Sequence, residues 1–339
     1  YPSGKKPGST IDRIVSFIDM PKTWLSLAGA EMTDNFQGRI FLGPDTEPEA
    51  KHHFSWRERA DERFDNVRVM RDEQFAYHKN YAPFAPNGQY LAYMHNMKAT
   101  GAWERHHQAG KTNAVTGRFF EPRPSEEFYD NFKDFHNIDN QIDDPLHQTK
   151  IKELKKELRR QQLKYFDSGL MPEEMRNRMI KEKKTTVYAF VRDPKLYPLA
   201  KYLDYADLAL SRNKVNLKTL TKGLSSEDSV IRYWSVVGLL LLEKEAKPAI
   251  SALKKALDDS DEIPALAAWA IYKAGDKAFA EKWMLETITN NPGNKMLANV
   301  LDWMDEGSFS ILAKIPSDKL PQKGLLKDVV KRAEARKKG

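Results

Sequence analysis

The sequence predicts an α+β fold: a small antiparallel sheet packed on one long helix, followed by an α-helical solenoid. Three observations carry the prediction. Short runs with period-2 alternation and β-branched or aromatic residues fall before residue 131. One long run with near-helical spacing of apolar residues follows, from Pro145 to Phe166. From about Val187 onward, short helical segments rich in Leu, Ala and Trp recur with a period of roughly 33 residues.

Taken in order, the chain opens on Tyr1-Pro2-Ser3-Gly4-Lys5-Lys6-Pro7-Gly8, with neither an initiator Met nor a signal-peptide pattern. It reads as a loop entered from something upstream; a mature chain cut after a signal peptide is the other reading. Ile11, Ile14, Val15 and Ile18 have helical spacing, Pro21 suits the start of a second helix with Leu25 and Leu27, and Gly29 suits its C-terminal cap. His52 to Trp56, Val67 to Met70 and Phe75 to His78 are predicted strands, the last two joined by a turn at Arg71-Asp72-Glu73-Gln74. Val67 and Val69 face one way and Arg68 and Met70 the other, as in a sheet with one wet face.

Residues 81–125 are rich in Pro, Gly, Tyr and His, with a helical piece near Ala99 to Ala109, and are predicted to build a binding surface instead of a core. Glu127 to Asp130 is a fourth short strand. The long helix carries apolar residues at Leu146, Ile151, Leu154, Leu158 and Leu163. In the helical half, Leu220-Thr221-Lys222-Gly223-Leu224-Ser225-Ser226-Glu227-Asp228 is echoed by Leu253-Lys254-Lys255-Ala256-Leu257-Asp258-Asp259-Ser260-Asp261. A fainter copy begins near Leu285, with Asn290-Asn291-Pro292-Gly293 as its turn. Helix–turn–helix units of this period are HEAT-like, and they stack because no unit hides its apolar face alone. The expected division is 1–185, then 186–325 for the repeats, then a basic tail at 326–339.

Composition narrows the function classes. Apolar residues at 40% and charged residues at 30% describe a globular chain. The longest strongly apolar stretch, Val236 to Leu242, is far short of the roughly 20 residues a membrane span needs. The absence of cysteine excludes disulfides, thiolate zinc sites and a Cys nucleophile within these residues. The net charge of +7 is uneven: residues 1–150 hold 19 Lys/Arg against 22 Asp/Glu, and the rest 36 against 26. The basic tail Lys331 to Lys338 reads as a solvated helix end rather than a nucleic-acid arm, since no stacking aromatics are interleaved with the charges.

Several runs then point to one family. Ile14-Val15-Ser16-Phe17-Ile18-Asp19-Met20-Pro21-Lys22-Thr23-Trp24-Leu25-Ser26-Leu27-Ala28-Gly29 resembles the segment where type I sulfatases leave their catalytic sheet. Phe36-Gln37-Gly38-Arg39 resembles their QGRS element, with Ile40 where Ser is usual. Glu127-Phe128-Tyr129-Asp130, Asp134 to Gln141 and Asp143-Asp144-Pro145 are similar to the family's ELYDL..DP.E..NLA.DP run, departing from it at Phe135, Asn137 and Gln141. The resemblance covers roughly half the chain, and the long Tyr81 to Glu121 insertion is most similar to sulfamidase-like and heparan-type members.

The resemblance implies an exported, periplasmic or extracellular enzyme with an alkaline-phosphatase-like fold. A large N-terminal domain would carry a formylglycine, made from Cys or Ser in C/S-x-P-x-R, and a calcium held by Asp and Asn. A smaller C-terminal domain, a four-stranded antiparallel sheet with one long helix, would close over the substrate. Only the second is expected here, because no C/S-x-P-x-R motif occurs in these 339 residues. Catalytic residues and calcium ligands are accordingly expected in an N-terminal domain. Asp143-Asp144 is expected as a helix cap instead of a metal pair.

The first candidates for chemistry lie in Ser55-Trp56-Arg57-Glu58-Arg59-Ala60-Asp61-Glu62-Arg63-Phe64, expected as a loop between strands. Arg57, Arg59 and Arg63 offer forks for sulfate oxygens, and Glu62 accepts from sugar hydroxyls. A solvated loop with local salt bridges is the competing account. Gln89 and Tyr90, with Tyr93 and Trp103, suit a sugar ring by hydrogen bonding and stacking, or else pack a loop. His52-His53 and His106-His107 are adjacent pairs, and neighbours on a strand face opposite ways and cannot chelate one ion together. Gly110-Lys111-Thr112 imitates the end of a phosphate-binding loop, but Arg105 stands where that loop needs glycine.

The expected function is recognition of a sulfated glycan on behalf of a sulfatase catalytic domain. A non-catalytic glycan- or protein-binding module, and a scaffold whose repeats stabilise the sulfatase part, are the alternatives.

Overall fold

In the computed structural model the described residues are Gly8, Thr10, 13–61 and 63–337. They fall into two compact units. One comprises residues up to Trp56, Arg68–Lys79 and Glu126–Leu158; the other comprises Arg57–Val67, Asn80–Ser125 and the chain from Arg159 onward.

The first unit begins with helix α1 (Asp19–Leu27), which the Asp19 carboxylate starts by accepting from the amides of Ser16 and Arg39 at 2.8 Å each. Gly29, at φ 61°, ends it: its N–H donates to Ser26 O and the Ala30 N–H to Leu25 O. Residues 13–18 are not helical, contrary to the spacing. The amides of Ile14 and Ser16 bond to the side chains of Glu49 and Asp19, and so are diverted from an intrahelical ladder; Ile11 lies outside the described residues. Gly38 is needed for close approach, because a Cβ there would sit 2.0 Å from the Ile18 carbonyl oxygen.

The sheet is antiparallel, in the order β1 (His53–Ala60), β2 (Arg63–Arg71), β3 (Phe75–Asn80), β4 (Glu126–Asp130). In β3–β4, Tyr77 lies opposite Phe128 and Lys79 opposite Glu126. The loop predicted over Ser55–Phe64 is instead strand on both sides of a tight turn at Asp61, whose φ of 53° an Asp tolerates. The Arg/Glu run is thus strand as far as Ala60 and again from Arg63.

Helix α2 (Lys98–Gln108) belongs to the second unit, and α3 (Gln148–Tyr165) begins in the first. Met70, Tyr77 and Phe128 from the sheet form the first unit's core with Ile151, Leu154 and Leu158 of α3. Burying each such side chain contributes about 1.5–3 kcal/mol. Leu146, expected on that face, is 88% exposed, and Leu163 is also exposed. At about 100° per residue Leu163 lies roughly 120° round the helix from Ile151. Leu146 sits in a 3-10 turn ahead of α3, where Asp144 accepts from its N–H at 2.8 Å. Within this unit Glu126 accepts from Tyr77 Oη and Lys79 Nζ at 2.9 Å and from Lys155 Nζ at 2.5 Å.

The second unit is mainly helical: α4 (Glu173–Glu182), α5 (Leu199–Leu210), α6 (Leu217–Gly223), α7 (Ser229–Leu242), α8 (Ile250–Lys255), α9 (Ile263–Ala274), α10 (Lys277–Asn290), α11 (Lys295–Trp303) and α12 (Leu325–Lys337), with shorter pieces between. The echoed acidic residues have structural work. Asp228 caps α7 through the Val230 N–H, and Asp259 receives Arg232 through Nε at 2.6 Å and Nη2 at 3.0 Å. Val236, Leu239, Leu266, Trp269 and Leu297 share one large core with Tyr81, Ala82, Phe84 and Ala85. The early part of the 81–125 segment therefore builds core, contrary to expectation: Phe84 packs edge-on to Trp269 at 5.9 Å and against Trp303 at 5.3 Å. The last helix corrects the sequence reading as well. It buries Leu326, Val329, Val330 and Ala333, and Arg332 is buried with them instead of solvated.

Candidate functional site

The predicted substrate residues that are described, Arg57, Arg59, Arg63, Gln89 and Tyr90, fall in the second unit, in two different settings. Arg63 and Gln89 are buried in an interior hub and have essentially no solvent-facing surface. Arg63 Nη2 donates to Asp302 Oδ2 at 2.6 Å. Gln89 Nε2 donates to the Phe64 carbonyl at 2.9 Å, and its Oε1 accepts from Trp303 Nε1 at 2.8 Å. Tyr90 is buried, its ring 4.5 Å from that of His95. Arg332 completes the hub, donating from Nη1 to Asp302 Oδ1 at 2.7 Å and from Nε to Glu104 Oε1 at 2.8 Å. Burial pushes the Asp302 carboxyl up, but Arg332 and Arg63 outweigh it and hold the group down at about 2. Arg336 pairs with Glu104 at 2.7 Å and with Asp305. A fixed, neutralised network of this kind positions chain segments.

Arg57 and Arg59 are on β1. Arg57 ion-pairs with buried Asp65, which also receives Arg123 Nη2 at 2.5 Å. Arg123 further donates to the carbonyls of Ala82 and Ala85, so Asp65 ties β2 to the segment after residue 80. Arg59 is largely exposed and meets Glu173 at 3.4 Å. Glu62 lies outside the described residues.

Arg59 belongs to a cleft of about 1030 Å³, for which the hairpin supplies Glu58, Arg59, Phe64 and Asp65. The start of α4 adds Glu173, Glu174 and Arg176, and Glu262 stands at the entry to α9. Lys295 and Asn299 come from α11, and Lys323 and Asp328 from the approach to α12 and its first turn. Arg176 Nη1 donates to Glu58 Oε2 at 3.2 Å. Glu262 accepts the amides of Glu174 at 2.8 Å and Met175 at 3.2 Å, capping α4, whose own N-cap is Pro172 and offers no acceptor side chain. Burial, reinforced by the charges of Glu174 and Asp261, lifts the Glu262 carboxyl to about 7.

Sequence reasoning found Arg59 in this cleft and missed Arg176, Glu262, Lys295, Asn299 and Lys323. Glu262 stands one residue past the echoed acidic turn, which ends at Asp261. The others are scattered over the chain and share no spacing.

The remaining candidates are accounted for locally. Trp103 donates to Thr116 O at 3.0 Å and stacks on Phe119, while Tyr93 stays exposed. His107 meets Thr112 at 3.0 Å and Glu121 at 3.3 Å, and His106 is exposed. In the first unit His52, Asp72 and Glu153 have metal-ligand proximity, but Lys150 already bonds Asp72 at 3.2 Å and Glu153 at 2.8 Å. Asp144 serves as a cap, as expected. Among the described residues no helix is long and apolar enough to cross a membrane.

Comparison with known proteins adds one relationship. Over 176 residues, 51% of this chain, the sequence is 30% identical to an ulvan-active sulfatase of Formosa agariphila, and the match spans 29% of that protein's length. Over that half of its length the chain is similar to a sulfatase. No protein-family model matches it, and no solved structure matches at a significant level.

Proposed function

We propose that this chain is the C-terminal portion of an exported type I sulfatase, sulfamidase- or heparan-sulfatase-like, that recognises a sulfated glycan. The observation that carries the reading is the 30% identity to a sulfatase over 176 residues, to which the family-like runs of the first 145 residues add support. In this reading the formylglycine and the calcium belong to an N-terminal catalytic domain. The His52, Asp72 and Glu153 group suits neither: Asp72 and Glu153 already hold the Lys150 ammonium, and a calcium site wants six to eight oxygen ligands. This chain's contribution is binding and orientation of substrate, which lowers the barrier by fixing geometry in advance.

A second feature supports a neighbouring catalytic domain. Phe17, Ile18, Trp24 and Leu27, at and just before α1, are exposed, as are Met32 and Phe36 beyond it. Apolar surface of this extent on one short segment suits a packed partner domain. The paired helices α6/α7, α8/α9 and α10/α11 are in this proposal HEAT-like repeats, and the enzyme works in the periplasm or outside the cell. A glycan polymer such as the ulvan of the relative's name is the substrate class.

The alternative, a non-catalytic binding module, draws on the absence of C/S-x-P-x-R from the sequence. Turnover of a chromogenic aryl sulfate separates the two. The expected result is none with the purified 339-residue chain and clear sulfate release when the upstream coding region is included. Turnover by the chain alone would falsify the division of labour, and no turnover with the upstream region would favour the alternative.

A further inference from the structure

We propose that the cleft is a saccharide-binding subsite in which Lys295 and Lys323, from the helical part of the chain, hold sulfate groups while Asn299 and Arg176 take sugar hydroxyls. The inference rests on the sulfatase reading for the class of ligand and extends it. The helices are then part of substrate recognition and do more than support a fold.

Several carboxylates line the cleft, and Glu174 and Asp328 have no ion-pair partner among the described residues, but those of the hairpin are already paired. Asp65 is neutralised by Arg57 and Arg123, and Glu58 by Arg176. Arg59 and Glu173 form a half-exposed pair at 3.4 Å, a contact that water screens and a sulfate readily displaces. Lys295 and Lys323 are exposed on the cleft and have no ion-pair partner among the described residues. An ammonium on a flexible stem contacts a sulfate as a point charge and needs no fixed fork.

Hydrogen-bonding capacity is also left over in the wall. Asn299 is only 3% exposed; its Nδ2 donates to Lys295 O at 3.0 Å, while its Oδ1 has no partner. Arg176 Nε is likewise buried without an acceptor. Buried polar atoms are ordinarily satisfied, and a ligand with many hydroxyls supplies both donors and acceptors with little rearrangement of the wall. Nucleobases fit poorly, since the cleft offers one aromatic ring, the half-buried Phe64. The volume, about 1030 Å³, is at the upper end for small-ligand sites and accommodates more than one sugar ring.

Isothermal titration of the full chain with heparin and carrageenan oligosaccharides, each beside its desulfated form, tests the proposal. The expected result is binding of at least one sulfated oligosaccharide that weakens as salt rises, with little binding of the desulfated form. Lys295→Ala combined with Lys323→Ala should weaken it at least tenfold, whereas Lys218→Ala with Lys282→Ala, both away from the cleft, should leave it unchanged. Equal binding by wild type and the Lys295/Lys323 variant, equal binding of sulfated and desulfated forms, or no binding of either probe overturns the subsite. Aryl sulfate turnover by the protein that includes the upstream region does not need this cleft. Its absence would sink the sulfatase reading separately, without reference to the isotherms.

Discussion

Glu126 in the sheet unit and Asp302 in the helical unit are each gripped by two basic side chains, and the two grips differ in kind. Glu126 is held by Lys79 and Lys155 and its side chain remains 25% exposed. Asp302 is held by Arg63 and Arg332 and its side chain is 2% exposed. Burial raises both carboxyls and the neighbouring cations overcome it, leaving each at about 2. Flexible ammonium groups suffice where water still reaches, whereas a dry site calls for planar guanidinium forks that satisfy the oxygens from fixed directions. The cores differ in the same sense. Among the described residues the sheet unit's core cluster has six buried side chains with Phe54, Phe75 and Ile142 packed against it, while the helical unit has a core large enough to enclose charge.

That contrast sets the largest expected effect. Asp302→Ala removes the carboxylate that Arg63 and Arg332 share in the buried hub, leaving Arg332 with Glu104, and should cost about 3–5 kcal/mol. Glu126→Ala, at the wetter site, should cost about 1 kcal/mol. Urea unfolding followed by circular dichroism checks both, and equal losses would remove the distinction between the two grips. Next in size, Leu154→Ala in the small core should cost about 2–4 kcal/mol, because six residues leave little material to collapse into the gap.

Much of the sheet unit was legible because its signals are local. Short β-prone runs announce the four strands, with alternation in Val67 to Met70, though Ser55–Phe64 reads as a loop, and helical spacing announces Ile151, Leu154 and Leu158. Gly29 marks the stop of α1. The hub of the helical unit was not legible, because Arg63 meets Asp302 across 239 positions and Arg332 meets Glu104 across 228. In the sequence Arg63 belongs to an Arg/Glu run that resembles solvated surface. Only the fold separates it from Arg59, four residues away. Arg332 was misread for a similar reason: a basic stretch near a chain end implies solvent, and nothing local shows two carboxylates converging on it. The cleft's lysines and Asn299 are legible only once α11 and the approach to α12 stand beside the hairpin.

The third prediction follows from Glu262. Its pKa is raised in the folded chain, from an ordinary 4.5 to about 7, by burial and by the charges of Glu174 and Asp261. The folded state therefore holds this proton more tightly than the unfolded chain does. The group's contribution to stability is fully present below about 4.5 and is lost as pH rises through about 7. Between those limits wild type should lose up to about 3 kcal/mol relative to Glu262→Gln, at about 1.4 kcal/mol per unit. The variant keeps a neutral acceptor for the amides of Glu174 and Met175. Buried Tyr233, which senses the Glu262 charge, stays protonated throughout this range. Urea midpoints of the two proteins from pH 4.5 to 7.5 give the test, and parallel curves would show that Glu262 does not titrate there.

The smallest effect on stability separates the two arginines of the hairpin. Arg59→Ala removes one half-exposed pair with Glu173 and should change stability by less than about 0.5 kcal/mol. Under the proposed function it should raise KM for a sulfated oligosaccharide severalfold with kcat little changed in the protein that includes the upstream region, as expected when a binding contact is lost that ground and transition states share. Arg63→Ala should do the reverse. It uncovers Asp302 inside the hub and lowers stability by about 3 kcal/mol, and the activity that survives at low temperature should keep its KM. If instead both variants raised KM equally at unchanged stability, the hub would be open to substrate and the hairpin would act as one binding strip. That outcome would return Arg63 to the cleft and break the division between interior and recognition residues.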